Sequence, residues 1–321
     1  MAFIRIIFVL MFFSHVAFAQ WVKQDSGTLA WLDAIYFVDK DNGWMAGSNG
    51  TLLLTRNGGR TWQKEKTKTG DTIRDVYFSD VRNGWLLCER SVYASGENPP
   101  SYLMRTFNGG KDWQNIEFAD GKERMTRFFF LGDDTGFAVG EGGILLRMQE
   151  VSRRWKRSIL PTRYLMVDAA YIDAFTIFLV GGGGTILFTT DGGSTWSESK
   201  FAESAGHPKL NSVHFADQKK GWATGGEGKI YSSDDGGKLW QEQNSHVTTD
   251  LFDIVFVDSK LGFAVGDEGT ILRTANGGGN WKTEASGTRH RLERIAIAGN
   301  RAFAVGFGGI ILTAEIRREG N

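Results

Sequence analysis

Short apolar, β-branched and aromatic runs alternate along the chain with turns rich in glycine, Asp, Asn and serine. The run Leu32-Asp-Ala-Ile-Tyr-Phe-Val38 predicts a first strand ended by Asp39, and Asp41-Asn-Gly43 turns into a second, Trp44-Met-Ala46. Gly47-Ser-Asn-Gly50 turns again into a third strand, Thr51 to Leu54, and the polar stretch Trp62-Gln-Lys-Glu-Lys-Thr67 supplies a fourth. The same order returns with first strands at 73–78, 127–131, 167–172, 211–215, 251–257 and 292–298. Their second strands carry an aromatic in register: Trp85, Phe137, Phe178, Trp222, Phe263 and Phe303. Apolar inner strands with a polar fourth are what radially arranged sheets demand. The inner strands are packed between neighbouring sheets, and the outer one faces water.

A turn with one spelling joins third to fourth strands. Thr189-Thr-Asp-Gly-Gly-Ser-Thr-Trp196 returns as Thr55-Arg-Asn-Gly-Gly-Arg-Thr-Trp62, Thr106-Phe-Asn-Gly-Gly-Lys-Asp-Trp113, Ser233-Asp-Asp-Gly-Gly-Lys-Leu-Trp240 and Thr274-Ala-Asn-Gly-Gly-Gly-Asn-Trp281. A degenerate copy, Met148 to Trp155, keeps only the tryptophan. With Trp21 upstream, these tryptophans are spaced by 41, 51, 42, 41, 44 and 41 residues and mark seven units. The last unit, from Leu292, has only three strands, and the missing fourth is Trp21–Thr28 at the other end of the chain. The expected fold is therefore all-β: a seven-bladed β-propeller of four-stranded antiparallel blades, closed by Trp21–Thr28 completing the last blade. Blade two carries ten extra residues between Cys88 and Tyr102, an elaboration of the kind that forms either a binding loop or plain surface.

Composition narrows the rest. Lys plus Arg equals Asp plus Glu at 37 each, which argues against a nucleic-acid partner recognised through a basic surface. A single cysteine, Cys88, excludes an internal disulfide, and no Cys/His cluster has zinc spacing. No cofactor is expected. Arg5, the apolar run Ile6–Phe13 and Ala17-Phe-Ala19 read as a secretory signal peptide over residues 1–19. The mature chain, 20–321, is expected to be a single exported domain, periplasmic or secreted, and monomeric, with the thylakoid lumen its compartment in a photosynthetic host. No cysteine follows the leader to carry a lipid.

Candidate chemistry falls into two groups. Asn57, Asn108, Asp191, Asp235 and Asn276 each precede a Gly-Gly pair; together with Trp62, Trp113, Trp196, Trp240 and Trp281 they are read as hairpin-building residues, not metal ligands. The second group comes from aligning the units where first strands begin. Asp33, Arg74, Arg127, Val167, Asn211, Phe252 and Glu293 form one expected ring around the axis, and Ala34, Asp75, Phe128, Asp168, Ser212, Asp253 and Arg294 the next. The loops between second and third strands add Asn49, Glu141, Gly183, Glu227, Asp267 and Phe307. These rings vary where the blade cores repeat, which suits a specific binding surface; a hydrated polar channel is the plainer alternative. A glycosidase would draw a carboxylate pair from Asp75, Asp168, Asp253 and Glu293, or a sialidase-like arginine cluster from Arg74, Arg127 and Arg294. No Arg-Ile-Pro stretch accompanies those arginines, and His207, His214, His246 and His290 lie apart without a triad partner.

Ser/Thr-x-Asp/Asn-x-Gly-x-x-Trp is similar to the Asp-box repeat of sialidases, sortilin-type receptors and xyloglucanases. The fuller stretches Gly266-Asp-Glu-Gly-Thr-Ile-Leu-Arg-Thr-Ala-Asn-Gly-Gly-Gly-Asn-Trp281 and Gly181-Gly-Gly-Gly-Thr-Ile-Leu-Phe-Thr-Thr-Asp-Gly-Gly-Ser-Thr-Trp196 most resemble the photosystem II assembly and stability factors. The resemblance covers nearly all the mature length. It implies a non-catalytic scaffold that binds a protein or membrane-complex partner in the cell envelope through its axial face. The alternative reading is a glycoside hydrolase acting on a glycan.

Overall fold

The computed structural model describes residues 21–91, 98–118, 122–132, 135–148, 154–202, 206 and 208–316. The leader, His207, part of the blade-two insertion and the turn of the degenerate repeat lie outside the described residues. Seven antiparallel sheets follow one another around a ring. Blade one is built from Leu32–Phe37, Gly43–Gly47, Leu52–Thr55 and Gln63–Glu65. Among the described residues the helical turns are five three-residue 3-10 turns, all between second and third strands.

The ring closes as the partial repeats require. Val22–Gln24 pairs antiparallel with the last strand, Ile311–Glu315, in the register Val22 to Thr313 and Gln24 to Ile311. Trp21, buried at the head of that strand, donates its indole N–H to Glu284 of blade six at 2.7 Å.

The core is a necklace of seven apolar clusters, each shared by two neighbouring blades. Leu32, Met45 and Leu53 of blade one meet Phe303, Val305 and Ile311 of blade seven in the cluster at the seam. The in-register aromatics supply the links. Trp44 stacks on Phe78 of blade two at 3.6 Å, and Trp222 on Phe256 of blade six at 3.4 Å. A blade buries its faces only against its neighbours, so an open stack would leave two apolar faces wet.

The Asx-Gly-Gly turns do what their residue types demand. Thr55 Oγ1 accepts the Gly59 amide at 2.9 Å while Asn57 Oδ1 accepts Thr61 N at 3.0 Å, and the two glycines take φ near +66° and +69°. The first glycine also donates to a carbonyl of the turn between first and second strands (Gly58 N to Asp41 O, 2.8 Å). Equivalent bonds recur in the copies at Asn108, Asp191, Asp235 and Asn276. All five turns therefore lie at one end of the barrel of blades, opposite the 3-10 turns. Blade five also gains a fifth strand: Lys200–Phe201 leaves blade four and pairs parallel with Leu239–Trp240.

Candidate functional site: a three-tiered axial mouth

Every blade makes the same irregularity at the start of its first strand. The pairing with the second strand skips one residue, between Leu32 and Ala34, Ile73 and Asp75, Met125 and Arg127, Met166 and Asp168, Leu210 and Ser212, Leu251 and Asp253, and Leu292 and Arg294. A bulge breaks the in–out alternation of a strand and turns two successive side chains to the same side. Here that side is the axis.

Asp33, Arg74, Thr126, Val167, Asn211, Phe252 and Glu293 are thus the bulged residues of the upper tier. Ala34, Asp75, Arg127, Asp168, Ser212, Asp253 and Arg294 form the tier beneath. This corrects the expected rings in blade three. Arg127 belongs one tier deeper, Thr126 takes its place, and Phe128 is buried in the core between blades two and three. The reason is that Met125, not Arg127, opens the strand.

The deep tier is a belt of inter-blade bonds. Asp75 accepts the amide of Phe128 at 3.2 Å, Asp168 that of Val213 at 3.0 Å, and Asp253 that of Ile295 at 2.9 Å, each from the next blade. Arg127 spans Asp75 and Asp168 at 3.4 and 3.1 Å. Ser212 Oγ lies 2.8 Å from Asp168 and 2.7 Å from Asp253. One hydroxyl carries one proton, so at most one of these carboxylates receives it, and the second contact is a hydrogen bond only if the other carboxyl group is itself protonated. Burial, against the pull of Arg294 and with the push of Asp168, raises Asp253 in the direction that retains this proton. Burial likewise raises Asp75, opposed by Arg127 and Arg294. On Arg127, burial disfavours the charge, but the surrounding Asp75, Asp168 and Asp253 outweigh it and raise its pKa.

The upper tier is partly tied in the same way. Thr126 donates to Met166 O at 2.5 Å and Asn211 to Leu251 O at 2.8 Å, both across blade boundaries. Arg74 bridges Asp33 at 2.8 Å and Glu89 at 2.7 Å, and Glu89 also meets Arg124 at 3.2 Å. Burial raises Asp33 to about 6 in spite of Arg74 beside it. Glu293 pairs with Arg291.

Above these lies a rim that the sequence reading missed: Trp31, Arg124, Leu165, Lys209, Asp250 and Arg291. Each precedes a fully buried first-strand residue, and each carbonyl accepts an amide from the loop after the second strand, as in Gly226 N to Lys209 O at 2.9 Å and Phe307 N to Arg291 O at 3.0 Å. The glycine that ends the second strand permits this approach: a Cβ on Gly225 would collide with Lys209 O. The backbones of all six are thereby pinned, and Arg124, Leu165, Lys209 and Arg291 line the axial recess, whereas Asp250 accepts the Glu227 amide of blade five at 2.9 Å. Three are basic and one is acidic. The signal was present, because the apolar residue opening each first strand marks the position before it.

The three tiers enclose a recess of about 320 Å³ whose wall includes Asp33, Arg74, Glu89, Arg124, Glu141 and Arg291. Of the loop residues, Glu141 and Phe307 stand at the first position of the 3-10 turn, as does Asp267. Glu227 stands at the second, where its counterpart is Glu268; Glu227 and Glu268 hold φ of 57° and 54°, as Asn49 does at 57° in blade one, where blades three, four and seven use glycine. Asp267 and Glu227 are therefore not equivalent, although the expected set of loop residues placed them side by side. The Asx-Gly-Gly residues all lie at the far end. His214 is packed away from the mouth beside Phe256, and burial lowers it to about 4.

A sequence profile of the family described as Photosynthesis system II assembly factor YCF48 matches residues 13–120, 147–244, 209–275 and 240–318. The Photosystem II assembly protein Ycf48 of Synechococcus sp. (strain JA-3-3Ab) is 24% identical over 155 residues, 47% of this chain and 43% of that protein. The Photosystem II assembly lipoprotein Ycf48 of Prochlorococcus marinus is 33% identical over 166 residues, 50% of this chain and 46% of the relative. The chain thus spans about half the length of the curated relatives it matches. Among solved structures, YCF48 from Cyanidioschyzon merolae superposes with a TM-score of 0.75 at 20% identity, covering 92% of this chain and 98% of that one. A structure described as YCF48 bound to D1 peptide does so at 0.75 and 19%, covering 93% and 95%. The WD40 propeller of Doa1 scores 0.73 at 10% identity, covering 94% and 98%, so these superpositions speak for the fold alone.

Proposed function

The chain belongs to the YCF48 family of photosystem II assembly factors, and from that premise we propose that it is a non-catalytic exported scaffold that holds a protein partner at its axial mouth. The observation that carries this reading is the rim. Seven bulges and six repeated backbone bonds present side chains that differ from blade to blade on a frame that does not. A plain water-filled channel needs no such framing. A relative described as bound to a D1 peptide supports a partner of protein type.

The carboxylates that a glycosidase would use are engaged elsewhere. Asp75, Asp168 and Asp253 are buried and accept amides of the next blade, and Glu293 is paired with Arg291. Asp75, Asp168 and Asp253 hold neighbouring blades together, while Glu293 is tied within its own blade. The reading extends to an exported location, a signal peptide over residues 1–19 and a monomer, and these belong to the same proposal.

The test is an affinity purification from the native envelope with wild type and with Arg74→Ala plus Arg124→Ala. Recovery of one membrane-complex subunit with wild type, and its loss with the double variant, is the expected result. Hydrolysis of a glycan panel by the wild type, abolished by Asp168→Ala in a protein that still folds, would overturn it.

A further inference from the structure

At the seam between blades seven and one, the mouth carries an apolar shelf that the fold does not require. Phe307 opens the 3-10 turn of blade seven, at the position held by Ser48, Glu141, Gly182, Gly226 and Asp267 elsewhere, and is 47% exposed. Leu29, in the link from the closing strand to blade one, is 89% exposed. Trp31 of the rim meets Phe307 edge-on at 5.3 Å, and His290 lies 5.6 Å from the same ring. The shelf is continuous with the recess. The Arg291 guanidinium sits 3.7 Å from the centre of the Phe252 ring and 5.6 Å from that of Trp31, and both Arg291 and Phe252 line the recess.

Exposed aromatic and aliphatic side chains gathered beside a polar recess are the usual anatomy of an anchor subsite, where one partner side chain is buried and charges around it set orientation. Basic residues run along one edge of this shelf, although Arg291 is already paired with Glu293 and Arg124 with Glu89. Arg289, His290 and Arg291 are consecutive along its edge, and Lys209 and Arg124 stand elsewhere on the rim. Among the described residues, Arg289 and Lys209 form no ion pair with a carboxylate. Resting on the axial-mouth reading above, we propose that the shelf of Leu29, Trp31 and Phe307 takes an aromatic or branched aliphatic side chain of an extended peptide whose neighbouring residues are carboxylates. The apolar side chain lies against Phe307, and the flanking carboxylates face Arg289 and Lys209, which hold no carboxylate among the described residues.

Fluorescence anisotropy with three labelled decapeptides tests this: one with a central Phe flanked by Glu, its Phe→Ala version and its Glu→Lys version. Phe307→Ser places at this turn the residue blade one already has there, and its melting temperature is measured alongside. Wild type is expected to bind the Phe/Glu peptide about tenfold more tightly than the Ala version. Phe307→Ser should bind the two alike, while the Lys version is weakest for both proteins. Equal binding of the Phe and Ala peptides by wild type, or undiminished discrimination by Phe307→Ser, would overturn the shelf. If Arg74→Gln then weakens every acidic peptide while Phe307→Ser changes nothing, the axial reading stands and the shelf alone falls. Binding of none of the three peptides by wild type removes both. Binding of phosphatidylglycerol vesicles that depends on Phe307, without any peptide binding, would replace the peptide by a membrane surface and refute the proposal.

Discussion

Replacing Trp21 probes whether the two ends of the chain close one ring. Trp21 is buried at 6% exposure, packs edge-on against Phe263 at 6.1 Å and donates its N–H to the Glu284 carboxylate of blade six. Trp21→Ala removes a core aromatic, a loss of about 3–5 kcal/mol, and strips a buried acceptor of its donor for about 1–3 kcal/mol more. With an unfolding entropy of about 2.1 cal/mol/K per residue, roughly 0.6 kcal/mol/K for a chain of this size, the melting temperature should fall by about 7–13 °C.

Trp21→Phe isolates the hydrogen bond and should cost about 2–3 kcal/mol at pH 8, or some 3–5 °C. That penalty depends on pH. Burial raises Glu284 above its ordinary 4.5, opposed by the Trp21 bond and by Arg273. Losing the indole N–H raises it further. An acid whose folded pKa is raised contributes stability that is fully present below its unfolded value and is lost as pH rises through the folded one. The Trp21→Phe penalty should therefore shrink at pH 4 and grow above 4.5. Glu284→Gln keeps an acceptor without the charge and should nearly abolish the pH dependence of Trp21→Phe in the double variant. Differential scanning calorimetry at pH 4 and pH 8 reads wild type and the four variants. A Trp21→Ala protein melting within about 1 °C of wild type, or a Trp21→Phe penalty equal at both pH values, would refute the reasoning.

Other outcomes follow from the same geometry. Deleting residues 20–28 exposes the edge of Ile311–Glu315, so the truncated protein should aggregate by light scattering where wild type stays monodisperse. Asp168→Ala leaves the buried Val213 amide without an acceptor and Arg127 with one partner fewer, and should cost about 3–5 kcal/mol in urea unfolding. Asp33 is raised to about 6 by burial, so its favourable share of stability is present below the ordinary 3.8 and fades as pH climbs to about 6. Asp33→Asn should flatten the fall in melting temperature across that window, and a slope unchanged from wild type would contradict it.

The blades were legible in the sequence because their signals are local. A Thr, an Asx-Gly-Gly turn and a Trp at fixed spacing report hairpin chemistry that needs no knowledge of the rest of the chain. The closing strand was legible because Trp21–Thr28 repeats Trp281–Thr288. The site was legible only in outline. Bulges at the seven first strands let neighbours such as Arg74 and Asp75 both face the axis, a departure from strand alternation that reading Arg127 as a strand's start could not register. The rim at Arg124, Lys209 and Arg291 lies outside any strand and its backbone is held by bonds to loop residues Glu141, Gly226 and Phe307 of the same blades, so no periodicity announces it. The parallel pairing of Lys200–Phe201 with the neighbouring blade is tertiary in the same sense, because two residues carry no pattern of their own.

The central claim is that the mouth, not the Asx-Gly-Gly end, meets the partner. Photo-crosslinking in cells addresses it directly, with benzoylphenylalanine placed at Val167 in the upper tier or at Lys111 in the blade-two turn at the far end. A discrete adduct from position 167, lost when Arg74 and Arg124 are also changed to alanine, and none from position 111, is the predicted result. Adducts from position 111 alone would contradict the account.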